Sequence, residues 1–263
     1  MPSPGRPTPL TCWTCGERLR LSPVGLACRN GHPVAEAGPG VYDLWPPDRD
    51  TPALDLYGTP LGWAYDFGVN TRPLATLAAR LEWGTDVSRM YRLMDEALAV
   101  PRGSAVLDVP AGGGTSFAEG APALKGLLIG VDLSPVMLAR AARRRAANGL
   151  QRQVLLARGD ATRLPLAAAS VERVLCFNGL HVIRDKEAAL AEFRRVLRPG
   201  GELLGTVLVS DGGSPYSLVV GLERMASFFV PVSSSELRSL AKRFGFQRWE
   251  QDLEGALLYF RGQ

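Results

Sequence analysis

The chain has 263 residues, of which 46% are hydrophobic and 21% are charged, as expected for a globular protein with a substantial core. This composition excludes a largely disordered chain, and no apolar run approaches the roughly 18 residues that a membrane-spanning helix needs. The net charge is only +4, and the first ten residues lack the apolar core of a signal peptide, so we expect a cytoplasmic protein without a membrane span.

The first predicted segment, residues 1–47, contains a cluster of cysteine and histidine residues. Cys12, Cys15, Cys28 and His32 are spaced C-x2-C-x12-C-x3-H, which places two ligands on each of two tight turns and is typical of a tetrahedral zinc site. A segment this short has too little core to fold alone, so zinc would supply part of its folding free energy. A redox Cys-x-x-Cys pair, the main alternative, explains neither Cys28 nor His32.

The second segment, residues 48–102, begins after the breaker Pro46-Pro47 and predicts a helical cap or linker. Apolar residues recur at spacings of three and four within residues 72–81 and 87–100, which predicts two amphipathic helices there.

The third segment, residues 103–263, alternates short apolar runs with helical stretches. The runs predict strands at residues 105–109, 127–133, 154–160, 171–178 and 202–209, with helices at 135–147 and 185–197. This alternation indicates an α/β fold with a parallel sheet and right-handed crossovers. The last two strands, near residues 247–253 and 256–261, are separated by two residues only, so they must form an antiparallel hairpin.

Glycines follow the first strand of this segment. The turn Pro110-Ala111-Gly112-Gly113-Gly114 would let the backbone approach a ligand closely. Alone, it is a weak signal. A nicotinamide fingerprint would have a third glycine at the position of Phe117, so the pattern departs from that class.

Three carboxylates stand at the ends of successive predicted strands. Asp108 ends the first, Asp132 the second and Asp160 the third. A carboxylate in the position of Asp132 can accept hydrogen bonds from both hydroxyls of a ribose. Three such groups favour a cationic or hydroxyl-rich nucleoside and would repel a pyrophosphate.

Five ordered motifs carry a resemblance to a known family. VLDVPAGGGTS, VDLSPVMLARA, RGDATRLPL, the strand through Phe177-Asn178, and RRVLRPGGELL resemble the class I S-adenosylmethionine-dependent methyltransferases, most closely the ubiquinone/menaquinone C-methyltransferases. The resemblance implies a Rossmann-like seven-stranded sheet over residues 103–263, with S-adenosylmethionine as cofactor. The Cys/His segment is similar to the zinc-ribbon-like head of ribosomal RNA guanine methyltransferases, and also to that of methyltransferases in which such a head precedes a quinone-type core. The sequence after Asn178 and the closing SSSELRSLAKRFGFQ resemble the second group more.

The resemblance also implies a set of cofactor-binding residues: Asp108, Pro110, Gly112, Gly114, Asp132, Leu133, Asp160, Ala161 and Asn178. Asp132 would hold the ribose, Asp160 and the Ala161 amide would read the adenine, and Asp108 would border the methionine end. Pro110 departs from the family, which usually has its first glycine at this position. Proline has no backbone N–H, so this position loses a hydrogen-bond donor.

Two residues are candidates for catalysis. Asn178 would face the substrate or the cofactor amino group, and His181 is the one histidine outside the metal cluster and would serve as a base if the acceptor must lose a proton. Ordinary packing is the alternative for both. Tyr57, Trp63, Tyr65 and the apolar segment 216–232 are candidates for covering the pocket.

We therefore expect a methyltransferase with a structural zinc head, acting on a small, apolar or aromatic acceptor. The first alternative is a ribosomal RNA guanine methyltransferase that docks RNA through the head. Arginines dominate residues 140–163, where RNA would bind unless they form a solvated helix face. The second alternative is a non-catalytic partner module whose loop is impaired by Pro110.

Overall fold

The computed structural model describes residues 5, 7–23, 25–50, 71–118, 121, 123–213, 215–216 and 230–263. The candidate pocket-covering residues Tyr57, Trp63 and Tyr65, and most of the segment 216–232, lie outside this part of the chain. Within the described residues, no helix is long and apolar enough to cross a membrane.

The amino-terminal segment forms a small three-stranded antiparallel sheet followed by a hairpin. The sheet consists of β1 (Pro7–Thr11), β2 (Arg18–Ser22) and β3 (Gly25–Ala27), in that order. The hairpin consists of β4 (Glu36–Gly38) and β5 (Val41–Asp43).

The second segment contains the two helices predicted for it. Helix α1 spans Arg72–Glu82 and α2 spans Ser88–Ala97. Met90, Tyr91 and Met94 of α2 are buried and pack on one face of the central sheet.

The third segment contains the predicted strands and helices, with boundaries within a few residues of those expected, except that the fifth strand begins earlier and that one further helix, over Ser234–Arg243, was not predicted. In chain order they are β6 (Ala105–Asp108), β7 (Leu127–Asp132), α3 (Pro135–Ala147), β8 (Val154–Arg158), β9 (Val171–Phe177), α4 (Lys186–Val196), β10 (Leu197–Leu208), α5 (Ser234–Arg243), β11 (Trp249–Glu254) and β12 (Leu257–Gly262). A short 3-10 helix, Thr115–Phe117, follows the glycine turn.

Nine of the described strands form one sheet in the order β11-β12-β10-β9-β6-β7-β8-β5-β4. Strands β8, β7, β6, β9 and β10 are parallel, and β12 and β11 form the predicted antiparallel hairpin at one edge. These seven strands confirm the predicted α/β methyltransferase-type sheet.

The amino-terminal hairpin extends this sheet, which the sequence did not lead us to expect. Strand β5 pairs in parallel with β8, with Val41 opposite Leu156 and Asp43 opposite Arg158. The domain boundary at residue 47 stays a prediction; β4 and β5, which precede it, are hydrogen-bonded into the central sheet.

The parallel strands β6, β7 and β8 are buried on both faces, as parallel strands covered by helices must be. Alternate residues of each strand enter two separate cores. One contains Leu107 and Ile129 and is covered by α4, α5 and the small sheet of the head. The other contains Val106 and Leu128 and is covered by α2 and α3.

Candidate functional site

The candidate site lies at the carboxyl edge of the parallel strands. Strand β6 is flanked by β7 on one side and β9 on the other, so the chain reverses its direction of travel across the sheet at β6. Crevices at such reversals are the usual ligand sites of open α/β sheets. The loops after β6, β7, β8 and β9 border this crevice, and they carry the cofactor-site residues predicted from sequence.

The glycine turn after β6 has the backbone conformation that glycine favours. Gly112 has φ +52° and Gly114 has φ +85°, values that residues with a Cβ rarely adopt. A Cβ on Gly112 would meet nothing within 4 Å, whereas one on Gly114 would lie 2.5 Å from Cζ of Phe117. Gly112 therefore leaves open space above the backbone, and Gly114 permits the turn to close over a buried ring.

Asp132 connects the glycine turn to the start of α3. Its Oδ2 accepts a hydrogen bond from the Gly112 amide at 2.7 Å, and its Oδ1 accepts one from the Ser134 amide at 2.9 Å. Ser134 caps α3 by accepting from the Met137 amide, and Pro135 occupies the first turn. Two backbone amides thus fix the orientation of the carboxylate. Leu133, the next residue, is 44% exposed.

Asp108 lies behind the turn and is 5% exposed. Burial raises the pKa of Asp108 to about 7; a hydrogen bond donated by the Ser116 hydroxyl opposes this shift, and the charge of Asp132 adds to it. Two of the three carboxylates predicted for the site, Asp108 and Asp132, are therefore electrostatically coupled. A cation bound beside them would favour the charged form of Asp108.

Asp160 has a partner that sequence reasoning missed. One carboxylate oxygen accepts from the amide and hydroxyl of Thr162 at 2.8 and 2.7 Å, and the other forms an ion pair with Arg49. Arg49 also donates to the Thr162 hydroxyl at 2.7 Å. Ala161 is half-buried in the same loop. No sequence pattern links Arg49 to Asp160, because the two are far apart in the chain.

Asn178 follows β9 and takes the left-handed conformation, with φ +52°. Its Oδ1 accepts from the Thr206 hydroxyl at 2.9 Å, and its Nδ2 lies 3.6 Å from Sδ of Met90. A Cβ on the neighbouring Gly179 would lie 2.3 Å from Cδ of Pro110. The loops after β6 and β9 therefore touch, and Pro110 occupies that contact.

His181 is 3% exposed, and its Nδ1 accepts from the Leu208 amide at 3.3 Å. Burial, followed by the charge of Lys186, lowers the pKa of His181 to about 3, which keeps the ring neutral. These contacts favour the packing alternative. A general-base role for His181 stays a prediction without support from its surroundings.

The predicted metal ligands come together in the head. The ligand atoms of Cys12, Cys15, Cys28 and His32 all lie within 4.8 Å of one another. The Cys15 and Cys28 sulfurs are 3.5 Å apart, and Nδ1 of His32 lies 3.5 Å from the Cys28 sulfur and 3.7 Å from the Cys12 sulfur. Three thiols and one imidazole thus surround a single point.

The arginines of residues 140–163 are only partly solvated, with Arg143 and Arg152 exposed. Arg140, Arg145 and Arg158 are buried, and Arg144 donates to the Gly113 carbonyl. The expectation of an exposed arginine face is therefore wrong for Arg140, Arg145 and Arg158, whose side chains pack inward. Arg145 donates to the Val154 carbonyl, Arg158 donates to the Asp43 carboxylate, and Nη1 of Arg140 lies 3.7 Å from Sδ of Met137.

Comparisons with known proteins agree with this architecture. A family model described as a methyltransferase domain matches residues 106–201. The chain is 32% identical over 162 residues to the O-methyltransferase rstn1 of Aspergillus nomiae, covering 60% of this chain and 71% of that protein. It is 33% identical over 141 residues to the demethylmenaquinone methyltransferase of Beutenbergia cavernae, covering 53% and 55%.

Solved structures show the same fold. A SAM-dependent methyltransferase from Thermotoga maritima superposes with a TM-score of 0.52 at 22% identity, covering 75% of this chain and 98% of that one. The match spans only about half the length of most of the curated relatives, including the menaquinone enzyme.

Proposed function

The chain belongs to the class I S-adenosylmethionine-dependent methyltransferases, and from this premise we propose that it transfers a methyl group from S-adenosylmethionine to a small, apolar or aromatic acceptor. The observation that carries the proposal is the position of Asp132. Its carboxylate is held by the Gly112 and Ser134 amides at the reversal point of the sheet, where a nucleoside ribose would bind.

The residues present fit this cofactor. The open space above Gly112, where a Cβ would meet nothing within 4 Å, leaves room for a ligand to approach the turn. Asp132 would accept from the ribose hydroxyls, and the exposed side chain of Leu133 would pack on the adenine. Asp160 would read the adenine amino group in competition with Arg49, which pairs with one of its carboxylate oxygens.

The methionine end of the cofactor would lie beside Asp108 and the backbone of Gly112 and Gly114. The ammonium group there would favour the charged form of Asp108, whose pKa burial raises to about 7. Asn178, fixed by Thr206, would border the reacting side of the pocket.

When bound, the cofactor supplies an activated methyl group, so the chain mainly has to align the acceptor and exclude water. No covalent nucleophile is required. The curated relatives named for menaquinone and O-methylation support a small apolar or aromatic acceptor.

We further propose that the head holds a structural zinc ion. A tetrahedral site with Zn–S of 2.3 Å and Zn–N of 2.0 Å has edges of about 3.8 Å between sulfurs and about 3.5 Å between sulfur and nitrogen. Three of the six ligand spacings in the cluster, at 3.5 to 3.7 Å, fit such a site, and all six lie within 4.8 Å. All four positions would be filled by the protein, which favours a structural over a catalytic ion.

Calorimetry with S-adenosylmethionine tests the donor site. Asp132→Ala removes the acceptor of two ribose hydroxyls, and charge-assisted hydrogen bonds contribute about 1.5–3 kcal/mol each, so affinity should fall by roughly 100-fold or more. The matched control Glu250→Ala, an exposed carboxylate on β11, should leave affinity unchanged. Equal affinity of wild type and Asp132→Ala would contradict the assigned contact.

Turnover with a panel of quinols, phenols and ribosomal RNA, read as S-adenosylhomocysteine formed, tests the acceptor. Methylation of the small acceptors supports the proposal. Methylation of RNA alone would favour the ribosomal RNA alternative, and cofactor binding without turnover on any of them would favour the non-catalytic partner module.

A further inference from the structure

A cavity lies at the edge of the sheet opposite the proposed donor site. It has a volume of about 830 Å³ and opens between the small sheet of the head, at Pro7 and Arg18, and the amino-terminal ends of the core strands, at Ala105 and Leu127. Strands of four to six residues separate this edge from the carboxyl edge, a distance of roughly 13–20 Å. The cavity is therefore separate from the crevice that would hold the methyl donor.

Positive charge dominates the lining of this cavity. Arg18 of β2, Arg102 before β6, Lys125 before β7 and Arg152 before β8 all border it, and all four are exposed. A fifth cation, Arg198, is paired with Glu172.

Within the described part of the chain, the charges of the first four have no ion-pair partner. Among the residues that the structure describes, no carboxylate lines the cavity. Convergence of unpaired cations from four separate segments raises the local positive potential, which attracts anions.

The arrangement selects among anionic ligands. Because the cations come from four segments around a large opening, a single carboxylate would satisfy only one or two of them, whereas a row of phosphates would contact them all. Guanidinium groups also match phosphate oxygens in geometry. The described lining contains no aromatic side chain, so it offers no platform on which nucleotide bases would stack.

We propose that this cavity binds a chain of phosphate groups through Arg18, Arg102, Lys125 and Arg152. The ligand is recognised by its charge and not by its bases, and it comes either from the backbone of an RNA strand or from a free oligophosphate. Either ligand would lie between the head and the core, so binding would hold these two parts of the chain together.

The test uses the full chain and two probes, a fluorescein-labelled single-stranded RNA 12-mer followed by anisotropy and inorganic tripolyphosphate followed by calorimetry. Four contacts predict a slope of log affinity against log salt of about −3 for RNA, or a loss of roughly 50-fold between 50 and 200 mM salt. Arg102→Glu/Arg152→Glu should weaken binding of the responding probe by at least tenfold. The milder Arg102→Gln/Arg152→Gln should weaken it less and lower the slope.

The matched control is Arg238→Glu/Lys242→Glu, which reverses two exposed cations on α5 away from the cavity, and its binding should equal that of wild type. Circular dichroism and thermal melts check that every variant is folded. RNA binding that tripolyphosphate does not displace identifies the RNA backbone, whereas binding of tripolyphosphate alone identifies a free oligophosphate. The proposal is overturned if neither probe binds, or if the cavity and control variants lose affinity equally.

Discussion

The two glycines of the donor turn provide a matched pair of substitutions with opposite expected effects. Both have positive φ, so alanine at either position costs about 1–2 kcal/mol in backbone energy. They differ in what the new methyl group would meet. At Gly114 it would lie 2.5 Å from Cζ and 2.7 Å from Cε2 of Phe117, and at Gly112 it would meet nothing within 4 Å.

Phe117 is fully buried, so its ring has no free space into which it can retreat. Overpacking of this kind costs about 1–3 kcal/mol. Gly114→Ala should therefore lower the free energy of unfolding by about 2–5 kcal/mol, and Gly112→Ala by about 1–2 kcal/mol. Urea denaturation of the ligand-free proteins at one pH measures both values.

The affinity for S-adenosylmethionine should fall more in Gly112→Ala than in Gly114→Ala, which is the opposite of the order expected for stability. The reason is that the methyl group of Gly112→Ala would occupy the space through which the donor approaches the backbone. Equal stability of the two variants would refute the placement of Phe117 beneath the turn. Unchanged affinity of Gly112→Ala would refute the placement of the donor above it.

Three further predictions concern single sites. The pKa of Asp108 is about 7 in the folded state and 3.8 in the unfolded state, so between these pH values only the folded state keeps the proton. The free energy of unfolding should therefore fall by up to about 1.4 kcal/mol per pH unit as pH rises through that window. In urea denaturation, the difference in stability between pH 5 and pH 8 should be smaller for Asp108→Asn than for wild type. Arg49→Gln should free Asp160 from its ion pair and raise donor affinity up to about fivefold in calorimetry, whereas weaker binding would show that Arg49 itself contacts the donor. Removal of zinc with a chelator should lower the melting temperature and release one equivalent of metal per chain. Cys28→Ser should reproduce the lower melting temperature. A chain that contains no zinc as purified would contradict the assigned site.

The parallel strands were predictable because each is buried on both faces and appears in the sequence as a short, uninterrupted apolar run. The start of α3 was equally clear, since Ser134 and Pro135 are the usual cap and first residue of a helix. The start of β10 was less clear. The strand begins at Leu197, ahead of the Pro199-Gly200-Gly201 turn, with a shift in register there, whereas proline and glycine would ordinarily mark a loop.

The extension of the sheet by β4 and β5 was not predictable in the same way. Each strand has three residues, too few for an alternating pattern, and the Gly38-Pro39-Gly40 sequence between them indicates only a turn. Their place beside β8 depends on contacts more than 100 residues apart in the chain, such as the ion pair between Asp43 and Arg158. The pairing of Asp160 with Arg49, 111 residues away, escaped prediction for the same reason. The partners of Asn178, Thr206 and Met90, are also distant in the chain, at 28 and 88 residues.

The head and the donor site are physically connected through a few residues next to the metal cluster. Trp13 lies between the ligands Cys12 and Cys15; its indole donates to the Leu44 carbonyl at 2.8 Å, and Arg163 lies 4.9 Å above its ring. The Leu44 amide in turn donates to the carbonyl of Arg158, the last residue of β8. Because Asp160 and Ala161 lie between Arg158 and Arg163, both ends of the predicted adenine loop contact the head. Loss of the metal should therefore reduce donor affinity as well as the stability of the head.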